Sequence, residues 1–347
     1  MIKENNYLDK IKEKLKSYEY NFLRENEHLG DNIIMLTVGG SYAYGTNVEG
    51  SDIDIRGCAL NSKRDILTNV NFEQFINEKT DTTIYSFNKL ISLLSNCNPN
   101  TIELLGNKTE SYFYLSDIGR ELLENADLFL SKKAAHSFGG YATAQLRRLD
   151  NKAARSLGQV EREKHILNSI KNAEFSFKDR YFKYPEDGIR LYLDDAIQEN
   201  FDKEIFMDIN LTHYPLRDYD SMFNEISNIV KDYNKLGKRN KNAIEHGKLG
   251  KHMMHLVRLY YMCFDILEQG KIVTYREKEH DLLMNIRNGK FLNDKNEPVS
   301  EFYEMVDELE ERLKYAKENT SLPERPDYKR IEEFVMSVNE RVIKERK

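Results

Sequence analysis

The sequence has no tryptophan, only three cysteines, and no apolar run that approaches the length needed to span a bilayer. Cys58, Cys97 and Cys263 are odd in number, widely spaced and free of any Cys-x-x-Cys pair. A disulfide framework and a cysteine-based zinc site are therefore not expected, and a reducing, cytoplasmic setting is. The opening "MIKENNYLDKIKEK" is charged from its third residue and lacks the apolar core of a signal peptide. A membrane span takes about 20 apolar residues, so a soluble protein is expected. Internal repeats and low-complexity tracts are also missing. So is a net positive charge: the formal net charge of −6 argues against a chain that coats nucleic acid over its whole surface, though a local basic groove stays open. In place of tryptophan, 21 Tyr and 17 Phe supply bulk. An apolar fraction of 40% over 347 residues suffices for sizeable cores in two domains.

Tyr7, Ile11, Leu15, Tyr18 and Phe22 recur at helical spacing and predict one amphipathic helix. "IIMLTV" (33–38), "DIDIRGCAL" (52–60) and "TDTTIYSF" (80–87) read as strands, with a helix through "NKLISLL" stopped near Asn98-Pro99. From Ser116 helical periodicity dominates, over 131–156, 160–178, 218–235, 250–269, 278–288, 300–317 and 327–345. The region 181–216 mixes turn signals with a strand candidate at "IFMDINL". The expected fold is α+β, with a small mixed-sheet domain at 1–120 and a larger helical domain at 121–347.

Between the first two strands stands "GGSYAYGTNVEGSDIDIRG" (39–57). A strand followed by Gly40-Ser41 offers backbone N–H groups and a hydroxyl to an incoming anion, and glycine lets phosphates approach the backbone. "SYAY" can form one helical turn, whose first amides favour negative charge. Asp52 and Asp54 are spaced i, i+2, so on a strand both carboxylates face one side. Two carboxylates with phosphate oxygens and water make the oxygen shell that Mg²⁺ prefers, and two such ions can serve an attacking hydroxyl and a leaving pyrophosphate. Asp81, opening "DTTIYSF", is the candidate third carboxylate, with Glu78 a rival.

A Gly-Ser pair, then D-h-D-h, then a later acidic residue on a strand resembles the signature of the DNA polymerase β-type nucleotidyltransferase superfamily. "DTTIYSFNKLISLLSNCNPNTIELL", "GGYATAQLRRL", "KHMMHLVRLYYM", "YREKEHDLLMNIRNGKF" and "LPERPDYKRIEEF" are similar to successive blocks of its YcgL-like branch, the RNA-repair-pathway DNA polymerase β family. The segment at about 181–245 is poorly matched and reads as an insertion or a divergent stretch. The resemblance implies a minimal nucleotidyltransferase fold with an added helical region. It also implies transfer of an NMP from an NTP such as ATP to an acceptor hydroxyl, with two Mg²⁺ or Mn²⁺ ions. Carried over by position, Gly40 and Ser41 bind phosphate, while Asp52, Asp54 and Asp81 bind the ions and carry catalysis. The family's repair association implies an RNA 3′ end as acceptor. A protein acceptor, as in AMP-transferring partners of toxin–antitoxin pairs, and a non-catalytic nucleotide- or RNA-binding scaffold are the alternatives.

Other residues read less sharply. His252 and His255 share a helical face, but no third zinc ligand is evident, and the stretch reads as a packed helix. Because the resembling families keep this block, Lys251 and His252 are candidates to sit beside the nucleotide. Arg147 and Arg148 are either solvated surface or part of a basic face, since 132–180 carries 11 Lys/Arg against 5 Asp/Glu. With Lys238 and Arg239 in "KLGKRNKNAIEHGKLGK" (235–251), they are the candidate acceptor-binding residues.

Overall fold

The computed structural model describes residues 2–68, 72–142, 159–175, 177–181, 183–199, 202–239, 249–294 and 298–345. Packing divides the chain into two compact units. One contains residues 1–142, 254–286 and 301–347, and the other contains 143–253 and 287–300.

The first unit is built on a five-stranded sheet in the order β3-β4-β2-β1-β5. Its strands are β1 (Ile33–Val38), β2 (Ile55–Ala59), β3 (Gln74–Asn77), β4 (Thr82–Ser86) and β5 (Tyr112–Leu115). β2 and β4 run parallel and every other pair is antiparallel, so the sheet is mixed. β1 has all six residues buried, which is why it reads as an unbroken apolar run rather than an alternating one. One face of the sheet packs Ile33, Leu36, Val38 and Ile55 with Ile11, Leu15 and Tyr20 of the N-terminal segment. The other packs Ile34, Met35 and Cys58 with residues of helices Phe87–Leu94, Asp117–Glu124, Leu249–Gln269 and Tyr328–Ile343. These helices carry sequence-distant apolar stripes onto one sheet face, giving the α+β architecture.

The second unit pairs β6 (Ile189–Asp195) with β7 (Lys203–Ile209) in an antiparallel hairpin. Its core joins Ile170 of helix Gln159–Phe175 and Met222 and Ile229 of helix Leu216–Arg239 with Phe177, Ile189 and Leu191. Among the described residues no helix is long and apolar enough to cross a membrane.

The helix expected through Phe22 ends at Leu15. Ser17 is extended (φ −68°, ψ 164°), Tyr18 is 89% exposed, and Tyr20 reaches the core from a separate 3₁₀ turn. The physical reason is a tertiary cap. The Arg24 guanidinium donates to the carbonyls of Leu15 (3.1 Å) and Ser17 (3.2 Å), satisfying groups that a continuing helix would have used. β2 is also shorter than "DIDIRGCAL" suggested, beginning at Ile55, so Asp52 and Asp54 lie in the segment that leads into it. β3 and β5 were not anticipated. Both are only four residues long, and none of their positions is fully buried.

Candidate active site

The turn after β1 is shaped by Asp54. The Gly39 amide donates to the Asp54 carbonyl (2.8 Å), extending the β1–β2 ladder by one step. Gly40 has φ +58°, a left-handed conformation that L side chains rarely adopt, and a Cβ there would lie 1.6 Å from Asp54 Oδ2. No side chain fits between that carboxylate and the backbone. The helix Gly40–Tyr44 follows directly, with Ser41 buried and its carbonyl accepting from the Thr46 amide at 2.9 Å.

Asp81 lies just before β4, with φ 44°. Its carbonyl accepts from the Ile55 amide (3.1 Å), which places it at the entry of β2. Arg56 joins the two carboxylates. Its Nη2 is 3.0 Å from Asp81 Oδ1 and 3.7 Å from Asp54 Oδ1, while Nη1 donates to the Asp81 carbonyl at 2.6 Å. The Arg56 stem crosses the turn so closely that a Cβ on residue 39 would be 2.8 Å from its Cγ. Arg56 was not among the residues singled out from sequence. The signal was there, because it stands two positions after Asp54 and so shares its side of an extended chain.

Behind the turn lies a buried polar cluster that sequence reading also missed. The Tyr44 hydroxyl donates to Glu103 Oε2 (2.8 Å), and Arg258 Nη1 donates to the same oxygen (3.2 Å). The Arg258 guanidinium lies 3.6 Å from the Tyr44 ring centroid, a cation–π contact. Burial pushes the Glu103 carboxyl above its ordinary range, with Arg258 and the Tyr44 hydroxyl opposing that shift. Burial likewise raises the Tyr44 phenol. The loop at Thr274–Arg276 ties in through the Thr274 hydroxyl on the Glu103 carbonyl (2.5 Å) and the Arg276 amide on the Tyr44 carbonyl (3.0 Å). The far end of the Gly40–Tyr44 helix is therefore held by chain more than 200 residues away in sequence.

The structure thus brings Gly40, Ser41, Asp54 and Asp81 to neighbouring ends of β1, β2 and β4. Asp52 is exposed in the same connection. Lys251 is exposed and His252 half-buried on helix Leu249–Gln269. His255 of that helix lies edge-on to the Tyr44 ring at 6.2 Å between centroids. Arg147 and Arg148 lie outside the described residues, as do the side chains of Lys238 and Arg239.

Among the described residues, no three His, Cys, Asp or Glu side chains gather closely enough to hold a metal ion. Two observations nonetheless fit a divalent cation. The donors are all oxygen, the set that Mg²⁺ and Mn²⁺ take. Asp54 and Asp81 also already share a cation, the Arg56 guanidinium.

Residues 8–169 match a family model described as the RNA repair pathway DNA polymerase beta family. No curated protein and no solved structure matches the chain.

Proposed function

We propose, from the match of residues 8–169 to the RNA repair pathway DNA polymerase beta family, a nucleotidyltransferase family, that the chain transfers an NMP from an NTP to an RNA 3′ hydroxyl. The acceptor oxygen attacks the α-phosphorus, the bond from that phosphorus to the β-bridging oxygen breaks, and pyrophosphate leaves with the electron pair. Divalent ions, when bound, would polarise the acceptor hydroxyl and neutralise charge on the leaving pyrophosphate.

Asp52, Asp54 and Asp81 are the residues that would hold them. Asp81, the more exposed of the two carboxylates beside Arg56 (56% against 18% for Asp54), would help activate the acceptor hydroxyl as a ligand or by accepting its proton. Gly40 and Ser41 cradle the phosphates. Catalysis of this kind is positioning and charge stabilisation rather than covalent chemistry.

The observation that carries the reading is the seating of Asp54 on Gly40. A left-handed glycine whose Cβ would displace a carboxylate oxygen fixes that oxygen against the turn where phosphate would arrive. The basic stretches 132–180 and 235–251 support RNA as the acceptor through phosphate attraction, with Arg147, Arg148, Lys238 and Arg239 as contacts. The test is incubation with each labelled NTP, Mg²⁺ and either total RNA or total protein. Label in RNA supports the proposal. Label in one defined protein replaces it with protein AMP transfer, and label in neither leaves a binding scaffold.

A further inference from the structure

Arg56 pairs with both the Asp54 and the Asp81 carboxylates, and its position is specified from three sides. The β1–β2 register sets Arg56 opposite Thr37. Gly39 leaves room for its stem, since any Cβ there would meet the Arg56 Cγ at 2.8 Å. Asp81, in a left-handed conformation unusual for a non-glycine residue, offers both its carbonyl (2.6 Å) and its carboxylate (3.0 Å) to the guanidinium. A side chain held this way is part of the site rather than a surface residue resting on it.

Resting on the metal-dependent reading above, we propose that Arg56 is a built-in counter-ion that couples metal binding to nucleotide binding. In the free protein the guanidinium holds Asp54 and Asp81 together. A divalent cation arriving alone must break the Arg56–Asp81 hydrogen bonds and leaves a positive charge beside the one it brings. A cation arriving with a triphosphate meets a different balance. The phosphates supply negative charge and paired oxygen acceptors for the released guanidinium, which the planar arginine fork matches with two parallel N–H donors. Arg56 thereby disfavours metal on the empty site and favours the metal–nucleotide pair. The two ligands help each other bind, and the coupling must be the same whichever binds first.

The probe is Mn²⁺, followed by the loss of the free-ion electron paramagnetic resonance signal, with and without a non-hydrolysable ATP analogue. Expected for Arg56→Gln is tighter binding of Mn²⁺ alone by about tenfold to a hundredfold, the range that loss of a competing charge-assisted hydrogen bond spans. The enhancement of Mn²⁺ binding by nucleotide should shrink in the same variant. Arg56→Lys keeps the charge and should stay within about threefold of wild type for Mn²⁺ alone. If Arg56→Gln does not fold, judged by circular dichroism, Arg56→Lys still decides through its nucleotide enhancement. The loss of the fork predicts a reduced enhancement, and an unchanged one overturns the proposal. Unchanged or weaker Mn²⁺ binding in Arg56→Gln overturns it too, as does Arg56→Lys gaining as much affinity as Arg56→Gln. These failures differ from failure of the underlying reading, in which neither wild type nor variant binds Mn²⁺ even with nucleotide present.

Discussion

Replacing Gly40 by alanine tests the geometry of the turn with one carbon atom. The new Cβ would stand 1.6 Å from Asp54 Oδ2 and 2.8 Å from its Cγ, so the carboxylate has to rotate away. The backbone at φ +58° adds a left-handed strain of about 1–2 kcal/mol for any residue with a Cβ. The fold should survive, because loss of about 1–2 kcal/mol is a fraction of the roughly 5–15 kcal/mol stability of an ordinary domain. Activity should not. A displacement of about 1 Å in a positioning group can reduce a rate about 100-fold, so NMP transfer by Gly40→Ala should fall by at least that factor. Gly50→Ala is the control: it carries the same kind of strain at φ +79°, but a Cβ there meets nothing within 4 Å. It should lose a similar small amount of stability with activity kept. The assays are chemical denaturation and steady-state transfer for both variants. Gly40→Ala turnover within about threefold of wild type, in a folded protein, would refute the argument that Asp54 is seated by the turn.

Asp52→Asn and Asp54→Asn should each lower transfer by on the order of 10³-fold, since each removes several kcal/mol of transition-state stabilisation, with circular dichroism unchanged. Glu103→Ala should destabilise the protein by about 3–5 kcal/mol in denaturation, because it leaves the Arg258 guanidinium buried without its carboxylate, whereas Tyr44→Phe should lose only about 1 kcal/mol. The folded-state pKa of Glu103 lies above its ordinary 4.5, so the folded protein binds more protons in the window upward from 4.5. Glu103 should therefore make stability fall as pH rises through that window, and Glu103→Gln should remove its share of the slope. For RNA binding, a salt titration should give a log–log slope of about −0.7 per phosphate contact. That slope should flatten in the Arg147→Ala/Arg148→Ala and Lys238→Ala/Arg239→Ala double variants.

What the sequence revealed and what it hid follow from how local each interaction is. β1 was legible because a strand buried on both faces is a continuous apolar run, and the turn after it was legible because the run ends at Gly39-Gly40. Most helices from Gln159 onward were legible by period alone. The end of the first helix was not, since it depends on Arg24 reaching back to the Leu15 carbonyl. Glu103, Tyr44 and Arg258 were hidden for the same reason. Each is an ordinary helical or turn residue in sequence, and only the packing of Leu249–Gln269 brings Arg258 to a glutamate 155 positions earlier. Arg56 sat in plain view beside Asp54, but its bond to Asp81 exists only because β2 and β4 pair in parallel with Ile55 opposite Thr82.

The central claim is tested most directly by following both ends of the NTP on a single defined RNA. Label at the α-phosphate should appear on RNA bearing a free 3′ hydroxyl, periodate-oxidised RNA should take none, and label at the γ-phosphate should leave as pyrophosphate, all abolished in Asp54→Asn. Equal labelling of the oxidised RNA, or γ-label released as orthophosphate with no α-label on RNA, would contradict it.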